Sequence, residues 1–158
     1  MVKPWRKSSL KSVKAHDIDM KLLFDSSAIA KRYKRENGRD VVERLLKSAD
    51  AVVLAAHCKI EIASSLSREI HDKSIDGGQY SYAMGELAQD FVDFDVWPIS
   101  PEIEVLAIAA MSHSRLRAMD ALHIGTAQAA RVDLFVTADR KQALAAQAAG
   151  LKTELIEA

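Results

Sequence analysis

The chain carries one cysteine, Cys58, in 158 residues. A lone thiol cannot close a disulfide within the chain, and without Cys/His spacing it cannot build a zinc knuckle or ribbon. A reducing cytoplasm is the expected compartment. An excess of one charge is also missing, since 22 Lys and Arg balance 22 Asp and Glu. Any affinity for a polyanion must therefore be local. No apolar run approaches the ~20 residues needed to span a bilayer, and no apolar segment of secretory type follows the basic N-terminal stretch. Neither a membrane anchor nor export is expected. There is no Gly-rich phosphate loop, no Gly-x-Ser-x-Gly elbow and no Asp-x-Asp after the first apolar run, which disfavours nucleotide-binding, serine-hydrolase and aspartyl-phosphate chemistry.

What is present suits one compact domain: 49% of the residues are apolar and 28% charged, enough to bury a substantial core at this length. Residues 1–19 differ from the rest, carrying Lys3, Arg6, Lys7, Lys11 and Lys14 without an apolar period. They are expected to form a disordered or loosely docked extension, with the folded domain over 20–158. From Met20 onward the pattern alternates. Lys21 to Phe24 reads as a strand ending at Asp25, with Ser26 at the N-cap of a helix. A helix over 38–49 precedes the buried strand AVVLAA, and a second helix spans 57–71. After the break KSIDGG a long helix is expected over 79–94, then an edge strand near Pro98 and a helix opened by Pro101. The helix ALHIGTAQAA with Asp120 at its N-cap, the strand 134–137, a helix over 140–149 ended by Gly150 and a strand over 153–156 complete the order. Strands alternating with helices predict a three-layer α/β/α domain around a central parallel sheet.

Ligands in such sheets bind beyond the carboxyl ends of the strands. Asp25 and Asp139 each follow a predicted strand at that end. Asp120 stands at a helix N-terminus, where negative charge is favoured, and Glu61 lies early in the helix after the second strand. Four carboxylates can thus converge on one rim. Two unit charges 4 Å apart repel by ~4 kcal/mol at an effective dielectric of 20, so something must neutralise them. An all-oxygen ligand set without Cys or His suits one or two Mg²⁺ or Mn²⁺ ions, whose Lewis acidity and activation of water suit phosphodiester hydrolysis.

Taken singly, each acid has a plainer reading. Asp25, Asp120 and Asp139 can each be a helix cap, and Glu61 a surface acid. Asp133 precedes its strand and belongs to the opposite rim, and the run Glu86, Asp90, Asp93, Asp95 reads as solvated. His123 follows Asp120 by three residues and His57 precedes Glu61 by four, but each pair stands alone on its helix. A ferritin-type centre would need two such pairs, so His123 reads as a hydrogen-bonded core residue. Basic groups flank the rim: Lys31, Arg32, Lys34 and Arg35 after Asp25, and Arg115 and Arg117 before Asp120. They are solvated faces or, for Arg32, Arg35, Arg115 and Arg117, contacts to the phosphates of a substrate. Tyr33 and Tyr82 can stack on a base or be buried.

The stretches MKLLFDSSAIAKRY, EIASSLSREI, LRAMDALHIGTA and LFVTADRKQALAAQAAGLKTELI together resemble the PIN-domain family, and specifically the VapC-type ribonuclease toxins of toxin–antitoxin pairs. The resemblance runs from Met20 to Ile156. It implies that Asp25, Glu61, Asp120 and Asp139 bind one or two Mg²⁺ or Mn²⁺ ions, with Ser26 and Thr137 in support. It further implies cleavage of single-stranded or structured RNA, a homodimer, and inhibition by a small antitoxin protein. An RNA-processing nuclease outside a toxin pair, a DNA nuclease with the same metal site, and a non-catalytic binding module on the same fold are the alternatives. Lys59 near Glu61 and the extension before Met20 depart from the family pattern.

Overall fold

The computed structural model describes residues 20–157, so the expected N-terminal extension over 1–19 lies outside the described residues. In chain order the elements are β1 Lys21–Phe24, α1 Ser26–Lys34, α2 Arg39–Ser48, β2 Ala51–Ala55, α3 Cys58–His71, α4 Gly77–Asp93, β3 Asp95–Trp97, α5 Pro101–His113, α6 Ala118–Ala129, β4 Leu134–Thr137, α7 Arg140–Ala148 and β5 Thr153–Leu155. The strands form one five-stranded sheet in the order β3-β2-β1-β4-β5, and every neighbouring pair is parallel. The expected three-layer α/β/α architecture is the one observed.

Apolar alternation explains the layering. Strand β1 is central, pairing Leu22 with Val52 on one side and with Leu134 on the other. Both of its faces must therefore be apolar. Leu22 and Phe24 point into a core built with α1, α2, α3 and α4, including Ile29, Leu46, Ile62 and Leu87. Leu23 points the other way, with Val53 and Phe135, into a core closed by Ala110, Ile124, Ala127, Ala145 and Ala146 of α5, α6 and α7. Edge strands β3 and β5 are shorter and more exposed, as the proline after β3 suggests.

Several boundaries differ from expectation for local reasons. Asp25, not Ser26, caps α1, its carboxylate accepting from the Ala28 N–H at 3.0 Å. Helix α4 begins earlier than expected because Asp76 and Gln79 form a reciprocal capping box, which places Gly77 and Gly78 inside the first turn. Helix α6 begins at Ala118 with Arg117 at its N-cap, so Asp120 is its third residue and caps nothing.

Helices α5 and α6 cross closely where Gly125 faces Ile103 and Ala107. A Cβ there would lie 2.8 Å from the Ile103 carbonyl oxygen and 3.0 Å from the Ala107 nitrogen. These are backbone atoms that cannot swing aside. Gly125→Ala is expected to destabilise the fold by about 1–3 kcal/mol as an overpacking change, despite alanine's better helix propensity. Urea unfolding checks this, and an unchanged midpoint would refute the close crossing.

Candidate metal centre at the carboxyl ends of the strands

Beyond β1 the chain continues to β2 on one side, while β4 returns on the other. The crevice outside the carboxyl ends of β1 and β4 is thus a topological switch point, the usual ligand site of an open parallel sheet. Asp25 follows β1 there, and Asp139 lies two residues beyond the end of β4.

The two turns are stitched together by hydroxyls. Asp25 is buried; its Oδ1 accepts from Ser27 Oγ at 2.6 Å and from the Ala28 N–H, and its Oδ2 accepts from Thr137 Oγ1 at 2.5 Å. Thr137 Oγ1 in turn accepts from the Asp139 N–H at 3.0 Å, and Ser27 Oγ accepts from the Ala138 N–H at 2.9 Å. Asp139 caps α7 with its Oδ1, which accepts from the N–H groups of Lys141 and Gln142. Its reading as a cap is therefore correct and still leaves Oδ2 uncommitted. Ser27, which sequence reasoning passed over, is as much a part of the scaffold as Ser26 and Thr137. Its signal was the hydroxyl pair directly after Asp25.

Glu61 sits in the first turn of α3. Its Oε1 accepts from Ser26 Oγ at 2.7 Å and lies 2.8 Å from His123 Nε2 and 3.1 Å from His57 Nε2. The two histidine pairs that stood alone on their helices therefore meet at one carboxylate. Donor atoms of His57, Glu61 and His123 all lie within 4.8 Å of one another. Among the described residues, no three of the four acids have donor atoms this close to one another.

The electrostatics follow from burial and crowding. Burial pushes the Asp25 carboxyl up from its ordinary value, against the bonds from Ser27, Thr137 and Ala28. Asp120 is also raised, first by burial and then by the negative charges of Glu61 and Asp139, with Arg117 pulling the other way. Glu61 goes down. Half-burial pushes its carboxyl up, but the bonds from His123, His57 and Ser26 outweigh this and hold it well below the carboxylate range. Neighbouring Cys58 is buried and its thiol is pushed up to about 12, so it is inert.

These residues fit a hard divalent cation. Each acid keeps an oxygen that can still accept: Oδ2 of Asp139, Oε2 of Glu61, the whole Asp120 carboxylate, and a second lone pair on Asp25 Oδ2. The mutual repulsion that raises Asp120 is the electrostatic condition that a bound cation relieves.

The basic flank requires correction. Arg32 is buried; its Nε donates to Asp90 Oδ2 at 2.6 Å and its Nη1 to Glu43 Oε1 at 2.6 Å. It is an internal ion-pair residue with nothing to offer a phosphate. Tyr33 is buried beside it and donates to Asp90 at 2.9 Å, and Asp90 itself is buried, not solvated. Lys31 donates to the Asn37 carbonyl, and Lys34 pairs with Glu36 and Glu69 at 2.9 Å each. Arg35, Arg115 and Arg117 are exposed, and Arg117 acts electrostatically on Asp120. A groove beside the acids is lined by Ser26, Ser27, Glu61, Ser65 and Arg68. Arg68 is an exposed cation that sequence reading did not single out. Its spacing of seven residues from Glu61 was the available signal. Asp133, as expected, is structural at the other rim, accepting from the Lys21 N–H at 2.7 Å.

A parallel α/β/α domain with an acid rim at its switch point defines the class. Within it, the chain belongs to the PIN domain family, which it matches over residues 22–148. No curated protein sequence matches it. Among solved structures it is similar to FitAcB from Neisseria gonorrhoeae, at 18% identity and a TM-score of 0.65, covering 84% of this chain and 95% of that one. It is also similar to VapBC2 from Rickettsia felis, solved bound to a promoter DNA fragment, at 11% identity and a TM-score of 0.63 over 85% and 98% of the two chains. VapC20 from Mycobacterium tuberculosis, a sarcin-ricin loop cleaving toxin, aligns at 18% identity and a TM-score of 0.61 over 82% and 95%. At these identities the likeness is one of fold. Among the described residues no helix is long and apolar enough to cross a membrane.

Proposed function

We propose that this chain is a divalent-metal-dependent endoribonuclease acting on single-stranded or structured RNA, and the toxin of a toxin–antitoxin pair. The observations that support the reading are that Asp25 and Asp139 follow β1 and β4 at the switch point and are joined through the Thr137 hydroxyl, and that the negative charges of Glu61 and Asp139 act on Asp120. One or two Mg²⁺ or Mn²⁺ ions would be held by these four side chains. When bound, such an ion would supply Lewis acidity toward a phosphate oxygen and lower the pKa of water, so that hydroxide is available to attack phosphorus. Thr137 and Ser26 orient the acids. Arg35, Arg68, Arg115 and Arg117 are exposed cations available to the phosphates on either side of the scissile bond.

The partner reading has its own support. Among the similar structures are a toxin–antitoxin complex from Klebsiella pneumoniae and VapBC2 bound to a DNA fragment from its promoter. In this chain a groove between α1, α3 and α4, lined by Leu66, Ile75 and Tyr82 beside Lys34 and Arg35, offers apolar and basic surface to a small antitoxin. Exposed Val105 and Ile108 on α5 give an apolar face for a homodimer.

The test is cleavage by the purified chain of labelled RNA and of single-stranded DNA of the same sequence, with and without chelator, alongside its thermal midpoint. Cleavage should be confined to RNA, vanish in chelator and return with Mg²⁺ or Mn²⁺. RNA cleavage of equal rate in chelator would sink the metal role, and preference for DNA would sink the substrate. The midpoint should also respond to pH in a definite sense. Asp25 and Asp120 bind a proton more tightly folded than unfolded, because their carboxyls are raised above 3.8. Without cation, stability therefore falls as pH rises from that value through the folded-state values, and the penalty persists at neutral pH. Mn²⁺ should offset it, raising the midpoint more at pH 7 than at pH 5.

A further inference from the structure

His57, Glu61 and His123 have the composition of a transition-metal site, and their donor atoms are close enough for one. Their hydrogen bonds say otherwise. His57 Nε2 lies 2.9 Å from the Met119 carbonyl oxygen as well as 3.1 Å from Glu61 Oε1. Neither oxygen has a hydrogen to give, so the hydrogen must sit on Nε2. His123 Nε2 faces the same Glu61 oxygen at 2.8 Å, with Ser26 Oγ at 3.3 Å, and Ser26 already donates to Glu61. It too must donate.

The other ring nitrogens complete the assignment. Nδ1 of His57 and Nδ1 of His123 are both buried without a hydrogen-bond partner. A hydrogen on either would be an orphaned buried donor, stripped of water with no acceptor in its place. A metal-bound histidine has the reverse wiring: one nitrogen gives its lone pair to the metal, while the other donates to a carboxylate, carbonyl or water. Here the Nε2 atoms that face Glu61 have no lone pair to give, and the buried Nδ1 atoms have no acceptor.

We propose that His57 and His123 are positioning residues, a pair of Nε2–H imidazoles that grip Glu61 by one oxygen and leave Oε2 as its open donor. The rings pack at 4.3 Å between centroids and a tilt of 47°, so each restricts the other. Sequence placement makes the grip a cross-link. His57 stands at the N-cap position of α3 one turn before Glu61, whereas His123 and the Met119 carbonyl belong to the first half of α6, beside Asp120. The helices carrying two of the four acids are thereby fixed to each other. A cation in the crevice then meets oxygen ligands alone, which favours Mg²⁺ or Mn²⁺ over Zn²⁺.

The inference about the cation rests on the proposed nuclease reading; the assignment of hydrogens does not, and the experiment separates the two. Imidazole ¹⁵N shifts of the labelled full chain should show protonated Nε2 and unprotonated Nδ1 for both residues, unchanged at saturating Mg²⁺. An unprotonated Nε2, or a shift of either Nε2 on adding Mg²⁺, overturns the proposal whether or not RNA is cleaved. Mg²⁺ affinity by calorimetry is the second readout. His123→Leu should weaken it by about 10–100-fold, the range for a group supporting a ligand, and lower kcat with KM for RNA within about twofold. His123→Gln, which keeps an N–H near the Nε2 position, should recover most of both. A glutamine variant as impaired as the leucine variant would make the histidine a ligand and reject the clamp. Should the leucine variant fail to fold, the shifts of the wild-type chain still decide.

Discussion

Asp25→Asn should lower RNA cleavage by more than ~100-fold, beyond the upper end of what losing a mere supporting group costs. The carboxylate sits at the switch point between β1 and β4, and asparagine keeps its size while removing its charge. The fold should survive. Asparagine caps a helix as well as aspartate does, so the bond from the Ala28 N–H is retained, and the Thr137 hydroxyl can turn to accept from the new amide. A control on stability distinguishes loss of a ligand from loss of structure. Burial makes the ionised Asp25 costly, so in chelator at neutral pH the variant should melt at a higher temperature than the wild type. It should also lose much of the Mn²⁺-induced rise. A variant that melts lower in chelator, or that cleaves at near wild-type rate, would remove Asp25 from the centre of the site.

The second large effect concerns stability. Asp90→Ala should destabilise the domain by about 3–5 kcal/mol, because it strands a buried guanidinium. Arg32 is 2% exposed and donates two bonds to Asp90, at 2.6 and 3.3 Å, so that without Asp90 only Glu43 remains as its ionic partner. Tyr33 would lose its acceptor as well. In the intact protein, burial pushes the Arg32 guanidinium down, but Asp90 and Glu43 more than compensate and hold it charged. For a chain of this size, 1 kcal/mol moves Tm by about 2–4 °C, so scanning calorimetry should register a fall of roughly 6–20 °C. Replacing both partners by apolar residues, Arg32→Met with Asp90→Leu, should recover much of the loss. A fall below about 1 kcal/mol for Asp90→Ala would mean that the network is solvated after all.

Arg32 and Asp90 also show where sequence reading stopped short. Their charge suggested solvent, yet their positions suggested the core. Ala28, Ile29, Arg32 and Tyr33 share one buried face of α1, as Ala83, Leu87 and Asp90 do on α4. Helical spacing places both residues on the faces that are buried, and a buried charge is tolerated there because an opposite one faces it. The converse held for Asp120. Read as a plausible cap, it caps nothing, since α6 begins earlier and leaves its carboxylate free. Helix ends are the least sharply encoded feature of a chain, so a functional acid and a capping acid look alike until the end is known.

By itself the sequence determined what depends on neighbours along the chain. The buried strands, the faces of the helices, the parallel α/β/α class and the placing of Asp25 and Asp139 beyond strand ends all follow from period, turn chemistry and caps. The tertiary structure alone decided which faces meet. It set β4 beside β1 in the order β3-β2-β1-β4-β5, and it brought His123 onto Glu61 across a sequence separation of 62. Local spacing fixes the direction in which a side chain leaves its helix. The partner it finds there is chosen by the packing of the whole core, which no window of sequence contains.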